Sequence, residues 1–348
     1  MTSYRIVICA DFGRKTLLRP YYSTEQRLRA GFIRLGHNVV AFSDRDVARE
    51  SNIFRRSKLG APAMNAKLLE LVGHYKPHVL LFGHSDLVTN RTIERIAEQY
   101  PGVMLAQYNV DPTERAETMA DFRRRAERVK LSFITTAEPE VLTAIAPRLG
   151  SIVFFPNPVE PSYETARVFE MPREALDYDA MFLGTGIVRR TEQVEEIDRL
   201  LPPDIRRFFG GGVRGTPRVR STAFLETIAR SAQNINLPLD DKVDVPFLYS
   251  SDRIALLFGQ GTLVHTVASA RLEALYEDGV VPFANRQQVV DHVVELAVDD
   301  ARRRKIAETG WRIAHERTRS DIVAQYMLES LFEQPFSRDY GWPTGPGR

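Results

Sequence analysis

The chain reads as an α/β protein with two doubly wound halves, each built on a buried parallel sheet. Three observations predict this. Short apolar runs recur along the 348 residues, and most are followed by apolar residues at helical spacing. The runs are continuous rather than alternating, as strands covered on both faces are. The series breaks once, at the proline-rich stretch PNPVEPSYE (156–164), and then starts again.

The first half opens with the strand RIVICA (5–10). Its helix TEQRLRAGFIRLG carries Leu28, Phe32 and Leu35 on one face and stops at Gly36. NVVAFSD (38–44) follows, then a helix around 64–75 and the strand HVLLFGHSD (78–86). The helix NRTIERIAEQY leads to VMLAQYNVD (103–111). Pro112 suits the start of the helix PTERAETMADFRRRAERV. SFITTAE (132–138), a short helix and SIVFFP (151–156) complete the half, and 156–164 reads as a linker.

The second half begins with DAMFLG (179–184), TEQVEEIDRLL as a helix and IRRFFGG (205–211) as a strand. STAFLETIARSA reads as a helix and INLP (235–238) as a short strand. YSSDRIALLFGQGTLVHT (249–266) reads as loop, helix and strand. Next come the strand VVPFA (280–284) and the helices QQVVDHVVELAVD and DARRRKIAETGWRIAHER. DIVAQYMLESLF (321–332) closes the pattern before a tail, 334–348, without periodicity. The expected domains are 1–160 and 161–320, with 321–348 as a closing helix and tail. Ligands of such sheets bind beyond the carboxyl ends of the strands. Two facing sheets would place the site in a central cleft.

The balance of 47 basic and 45 acidic residues gives no case for nucleic acid. Arg123-Arg124-Arg125 and Arg302-Arg303-Arg304-Lys305 read as solvated helix faces. The one cysteine, Cys9, reads as a buried strand residue. No signal peptide and no membrane-spanning run is expected. The expected location is cytoplasmic, with work at the inner membrane face open.

Four groups bear on chemistry. Gly184-Thr185-Gly186 follows a strand, but Arg189 stands where a dinucleotide fingerprint needs its third glycine. A glycine turn at a helix start still offers N–H groups to a phosphate, and Arg189 and Arg190 in the first turn favour an anion there. Tyr249-Ser250-Ser251-Asp252-Arg253 suits helix capping, and equally a diphosphate held by hydroxyls and a guanidinium. Asp177-Tyr178-Asp179 imitates an Asp-x-Asp metal motif but lies before a strand, which favours a solvated strand entrance. No metal-ligand spacing of His or Cys exists. Asp11-Phe12-Gly13, His84-Ser85-Asp86 and Asn109-Val110-Asp111 each end a predicted strand. His84, Asp86, Asp111 and Asp11 are base candidates, with Gly13 and Asn109 on the acceptor side. His84 and Asp86 are spaced for one to assist the other. Loop structure is the favoured reading of each: Asp111 before Pro112 suits an N-cap, and Asp11 can order a turn.

The stretches 223–238, 249–266 and 272–320, with FLGTGIVRR, resemble the CgeB-type, spore-maturation-like glycosyltransferase family. The shared features are the serine-x-arginine helix start, the gly-threonine strand and the R-x-x-I-A-x-x-G helices. AQYNVDP and HYKPHVLLFGHSD extend the resemblance thinly into the first half. The resemblance implies the GT-B fold: two Rossmann-like doubly wound domains facing a central cleft, with the donor nucleotide held mainly by the second. It implies transfer from a nucleotide-diphosphate sugar to a hydroxyl acceptor (glycan, lipid or protein) with no metal or other cofactor. It also implies a last helix that crosses back to the first domain. Related retaining enzymes carry two glutamates where this chain has Leu248 and Leu256. Asp252, Arg253 and Glu273 are the nearby substitutes for the glutamate that holds the ribose. The loop 239–249 would close over the sugar. A non-catalytic nucleotide- or partner-binding protein and a sugar-nucleotide epimerase of the same fold are the alternatives.

Overall fold

The computed structural model describes residues 3–13, 21–240 and 244–345. The chain divides into two compact units, Met1–Pro156 with Ser320–Arg348, and Asn157–Arg319.

Unit 1 runs β1 (Arg5–Ala10), α1 (Thr24–Arg34), β2 (Asn38–Ser43), α2 (Asp44–Glu50), α3 (Ser57–Tyr75), β3 (Val79–Phe82), α4 (Asn90–Gln99), β4 (Met104–Asn109), α5 (Ala116–Ala126), β5 (Leu131–Ile134), α6 (Pro139–Ile145) and β6 (Ile152–Phe154). All strands pair in parallel in the order β2-β1-β3-β4-β5-β6. Ile6 to Ala10 and Leu80 to Phe82 are buried, which is why these runs carry no alternation. The chain steps from β1 out to β2, then back across β1 to β3. That reversal opens a crevice above the carboxyl ends of β1 and β3.

Unit 2 runs β7 (Tyr178–Leu183), α7 (Val188–Leu200), β8 (Arg207–Gly210), α8 (Thr222–Ile228), β9 (Ser231–Asn236), α9 (Arg253–Gly259), β10 (Leu263–Val267), α10 (Glu273–Tyr276), β11 (Val281–Phe283), α11 (Arg286–Val298) and α12 (Asp300–Arg317). Its parallel sheet has the order β11-β10-β9-β7-β8, so the reversal falls between β7 and β9. The closing helix α13 (Ser320–Leu331) packs against α1 in unit 1.

Several expectations need correction. The stretch 156–164 is not an exposed linker. Asn157, Val159, Glu160 and Glu164 are buried, and the Val159 N–H donates to the Thr318 carbonyl at 2.9 Å. β9 occupies 231–236 rather than 235–238, and α8 stops at Ile228. The strand was hidden because its buried side chains are polar: Gln233 donates to the Val293 carbonyl at 3.0 Å and faces His265 Nε2 at 2.8 Å. α3 begins at Ser57 instead of 64, and α2 was not foreseen. α5 begins at Ala116, with Arg115 at its N-cap, so neither Pro112 nor Asp111 starts it.

The arginine runs are not wholly solvated. Arg303 is fully buried and pairs with Asp300 at 2.6 Å, and Arg125 bonds Ser85 Oγ at 3.0 Å. Asp179 is likewise buried, gripped by Arg173 at 2.7 Å and Arg206 at 2.6 Å. These arginines hold its carboxyl far below the usual range against the cost of burial. Cys9 is fully buried, which raises its thiol pKa.

The tail docks on unit 1 without regular structure. Tyr340 donates to Glu329 Oε2 at 2.6 Å, and Tyr340 and Trp342 lie against Tyr326. Among the described residues no helix is long and apolar enough to cross a membrane.

A Cβ on Gly31 of α1 would lie 2.2 Å from the Ser320 carbonyl oxygen at the start of α13. Gly→Ala inside a helix normally gains about 1 kcal/mol. Here a backbone clash opposes that gain, so Gly31→Ala should destabilise by about 1–3 kcal/mol. Urea unfolding measures it, and a stabilised variant would show that α13 yields freely.

Candidate functional site

In unit 2 the crevice between β7 and β9 is lined by guanidinium groups. Arg253 opens α9, and its side chain is buried. It lies over the Phe182 ring, 4.8 Å from the centroid. Its Nη2 donates to Asn236 Oδ1 at 2.6 Å and to the Leu237 carbonyl at 3.0 Å. Both acceptors are neutral oxygens, and the buried Nε has no partner. Arg190 approaches the same ring, 5.6 Å from its centroid. It donates to the carbonyls of Thr185, Leu237 and Pro238, each at 3.3 Å. Burial, then the like charge of Arg190, pushes the Arg253 pKa down to about 9.

The glycines of the β7–α7 turn make room for this arrangement. A Cβ on Gly184 would lie 2.5 Å from Arg253 Nη1 and 2.8 Å from the Phe182 ring. One on Gly186 would lie 1.9 Å from the Gly212 carbonyl oxygen. α7 has Ile187 at its N-cap and no side-chain cap bond there.

The other candidates of unit 2 separate from this pair. Arg189 is exposed and pairs with Asp240. Ser250 is buried and accepts from Asn157 Nδ2 at 3.2 Å. Ser251 has a buried hydroxyl without a partner. Asp252 is the N-cap residue of α9, yet its side chain makes no cap bond, so the capping expectation fails. Tyr249 N–H donates to the Pro246 carbonyl at 2.9 Å. Glu273 is exposed in the first turn of α10. Leu248 is buried with φ 56, and Leu256 is buried within α9. Of the loop 239–249, Asp241, Lys242 and Val243 lie outside the described residues.

In unit 1 the loops after β1, β3 and β4 bring acids and one imidazole together. His84 Nδ1 contacts Glu25 Oε1 at 2.9 Å, and Nε2 faces Asp111 Oδ2 at 3.3 Å. Glu25 is buried in the first turn of α1, whereas His84 remains 37% exposed at its side chain. Burial opposes the charged ring, but the bonds to Asp111 and Glu25 outweigh it and raise the His84 pKa well above its ordinary value. The His84 bond holds Asp111 low. Glu25 is held low by the same ring despite its burial.

His84 and Asp86 do not assist each other. Asp86 pairs with Arg45, which also holds Asp11 at 3.0 Å. Asp11 Oδ1 further accepts from the Gly13 N–H at 3.1 Å, and Gly13 has φ 61. Asn109 Nδ2 donates to the Asp111 carbonyl at 2.9 Å, and its Oδ1 accepts from the Asp111 N–H, so this amide shapes the Asp111 loop.

Sequence reasoning missed Glu25 and Arg45. An acid in a first helical turn reads as a dipole partner, and nothing in the sequence signals that Glu25 is buried. Arg45 belongs to the unforeseen α2.

No family model matches the chain, and no curated protein matches it. Solved structures do. Sucrose-phosphate synthase from Thermosynechococcus elongatus superimposes with a TM-score of 0.65 at 11% identity, over 95% of this chain and 98% of that one. HepE from Anabaena, solved in complex with UDP and glucose, gives 0.61 at 12%, over 95% and 100%. A Listeria monocytogenes protein assigned as a UDP-N-acetylglucosamine 2-epimerase gives 0.56 at 12%, over 97% and 98%. The chain has the GT-B fold, two Rossmann-like parallel-sheet domains.

The raised His84 pKa fixes the sign of a pH effect. Its contribution to stability is complete below about 6.5, the unfolded value, and is lost as pH rises through the folded value. Glu25 and Asp111 are held low, so theirs is present above about 4 and is lost as pH falls through their folded values. Glu25→Gln should therefore lower the His84 midpoint in an NMR titration, and an unmoved midpoint would dissolve the pairing.

Proposed function

We propose that the chain is a glycosyltransferase that moves a sugar from a nucleotide-diphosphate sugar to a hydroxyl acceptor. One observation carries this reading: Arg253 is buried at the β7/β9 reversal against neutral oxygens, beside a second guanidinium. Asp252 next to it offsets the burial only in part, and no carboxylate among the described residues hydrogen-bonds Arg253, which leaves room for a bound anion. A diphosphate would accept from Arg253 Nε and Nη1, from Ser251 Oγ and from N–H groups of the 185–187 turn. The fold likeness to HepE, solved with UDP and glucose, supports the donor class. The narrower resemblance to the CgeB-type family rests on the motifs alone.

Arg190 and Arg253 would carry the charge of the departing nucleotide, the role a metal plays elsewhere. In unit 1, Glu25 orients His84 through Nδ1 from a buried position. The longer contact, at Nε2, is the one an acceptor hydroxyl would replace. If the reaction inverts, neutral His84 is the base. Its raised pKa then makes the rate climb with pH through that value.

The Listeria likeness supports an epimerase as the second reading. Isomerised sugar nucleotide in an assay without acceptor would decide for it. Nucleotide binding without turnover of any donor would decide for a non-catalytic binder.

Arg253→Ala should cut transfer by about a hundredfold or more while circular dichroism stays unchanged. Calorimetry with a panel of nucleoside diphosphates should show the same loss in binding. Full turnover in a folded Arg253→Ala protein would sink the diphosphate assignment.

A further inference from the structure

Unit 1 carries an exposed apolar patch that no part of the reaction uses. Ile53 is 90% exposed, Phe54 68% and Leu59 57%. The first two lie in the loop between α2 and α3, and the third lies in the first turn of α3. The patch continues along the helix. Leu59, Pro62, Ala63 and Ala66 recur at i, i+3, i+4 and i+7, and all four are exposed. Of the other large exposed apolar residues only Ile187 and Val188 adjoin, and the rest stand singly along the chain.

The loop is held in place. Asn52 Nδ2 donates to the Ala48 carbonyl at 2.8 Å and to the Arg56 carbonyl at 2.9 Å, and Asn52 Oδ1 accepts from the Arg56 N–H at 3.2 Å. Arg55 sits at φ 52, a strained region for a residue with a side chain. A fixed, strained turn therefore thrusts Ile53 and Phe54 into solvent, where apolar area of this size marks a contact surface.

Charge says what the contact is. Arg55, Arg56, Lys58 and Lys67 border the patch, and all are exposed. None makes an ion pair with a described residue. Residues 51–69 contain no Asp or Glu. The exposed Glu50 and Glu70 close this stretch, so the border is mainly basic, and an anionic bilayer offers both an acyl boundary and a negative surface to meet it.

We infer that this face docks the protein on an anionic lipid bilayer, with Ile53, Phe54 and Leu59 entering the headgroup boundary and the four cations facing the lipid charge. The inference is independent of the sugar-transfer reading. It nevertheless has a bearing on it, because α2 alone joins the patch to Arg45 at the candidate site of unit 1.

Co-sedimentation of the full chain with vesicles tests it. The protein should bind phosphatidylcholine vesicles containing phosphatidylglycerol and not pure phosphatidylcholine, and high salt should weaken the binding. Arg56→Glu with Lys58→Glu should weaken it at least about tenfold, since each surface cation contributes about fivefold. Ile53→Ser with Phe54→Ser should weaken it comparably. All four positions are exposed, so folding is retained. Equal binding to both vesicle types, or binding that both double variants keep, overturns the inference. So does concentration-dependent self-association without vesicle binding that Ile53→Ser with Phe54→Ser abolishes, since the occupant would then be a second copy.

Discussion

Burying a guanidinium against neutral oxygens costs solvation that only a nearby anion restores in full. Two other arginine sites of the chain respect that constraint. Arg303 has Asp300, and the arginines at the foot of β7 share Asp179. At the opposite end of the same strand the rule is broken. Arg253 receives only amide oxygens and the flank of an aromatic ring, with Arg190 beside it. Both ends of β7 thus use arginine, but among the described residues no carboxylate bonds Arg253 as Asp179 bonds its arginines. The carboxyl end is the one that the strand-order reversal opens to a ligand.

That single asymmetry organises much of the rest of unit 2. Gly184 must lack a side chain because Arg253 Nη1 occupies the space a Cβ would take. Gly186 must lack one because the loop after β8 presses against it. Phe182 is an aromatic strand end with two guanidinium groups near its ring. Unit 1 solves a different problem at its own reversal. Its acids and its imidazole compensate one another through His84 and Arg45, so the edge is polar but internally paired.

The sequence made the parallel sheets legible because continuous apolar runs have few other readings. RIVICA coincides with β1, and DARRRKIAETGWRIAHER with α12. It failed at β9, where Gln233 and Asn234 are buried polar residues and the strand carries no apolar signature. At 156–164 it found the boundary between the units but not its burial. Prolines there mark a fixed, buried crossing rather than a loose connection. At the candidate site, residue types at strand ends were readable, but pairings were not. His84 found Glu25, 59 positions away, instead of Asp86 two positions on. Spacing along a loop sets which side chains are near in sequence, and helix packing sets which one arrives.

The departure at Leu248 and Leu256 acquires a physical reading from α9. All seven residues of that helix are buried, so it serves as core as well as a holder of Arg253. A carboxylate at 256 would be desolvated unless a ribose hydroxyl met it. Leucine removes that cost and the contact together. Leu248 is fixed by its N–H to the Ala270 carbonyl at 2.8 Å, in a backbone region that only a close constraint maintains. If a nucleotide occupies the β7/β9 crevice, its ribose must be recognised from outside α9. Glu273 follows β10, the neighbour of β9, and stands exposed in the first turn of α10.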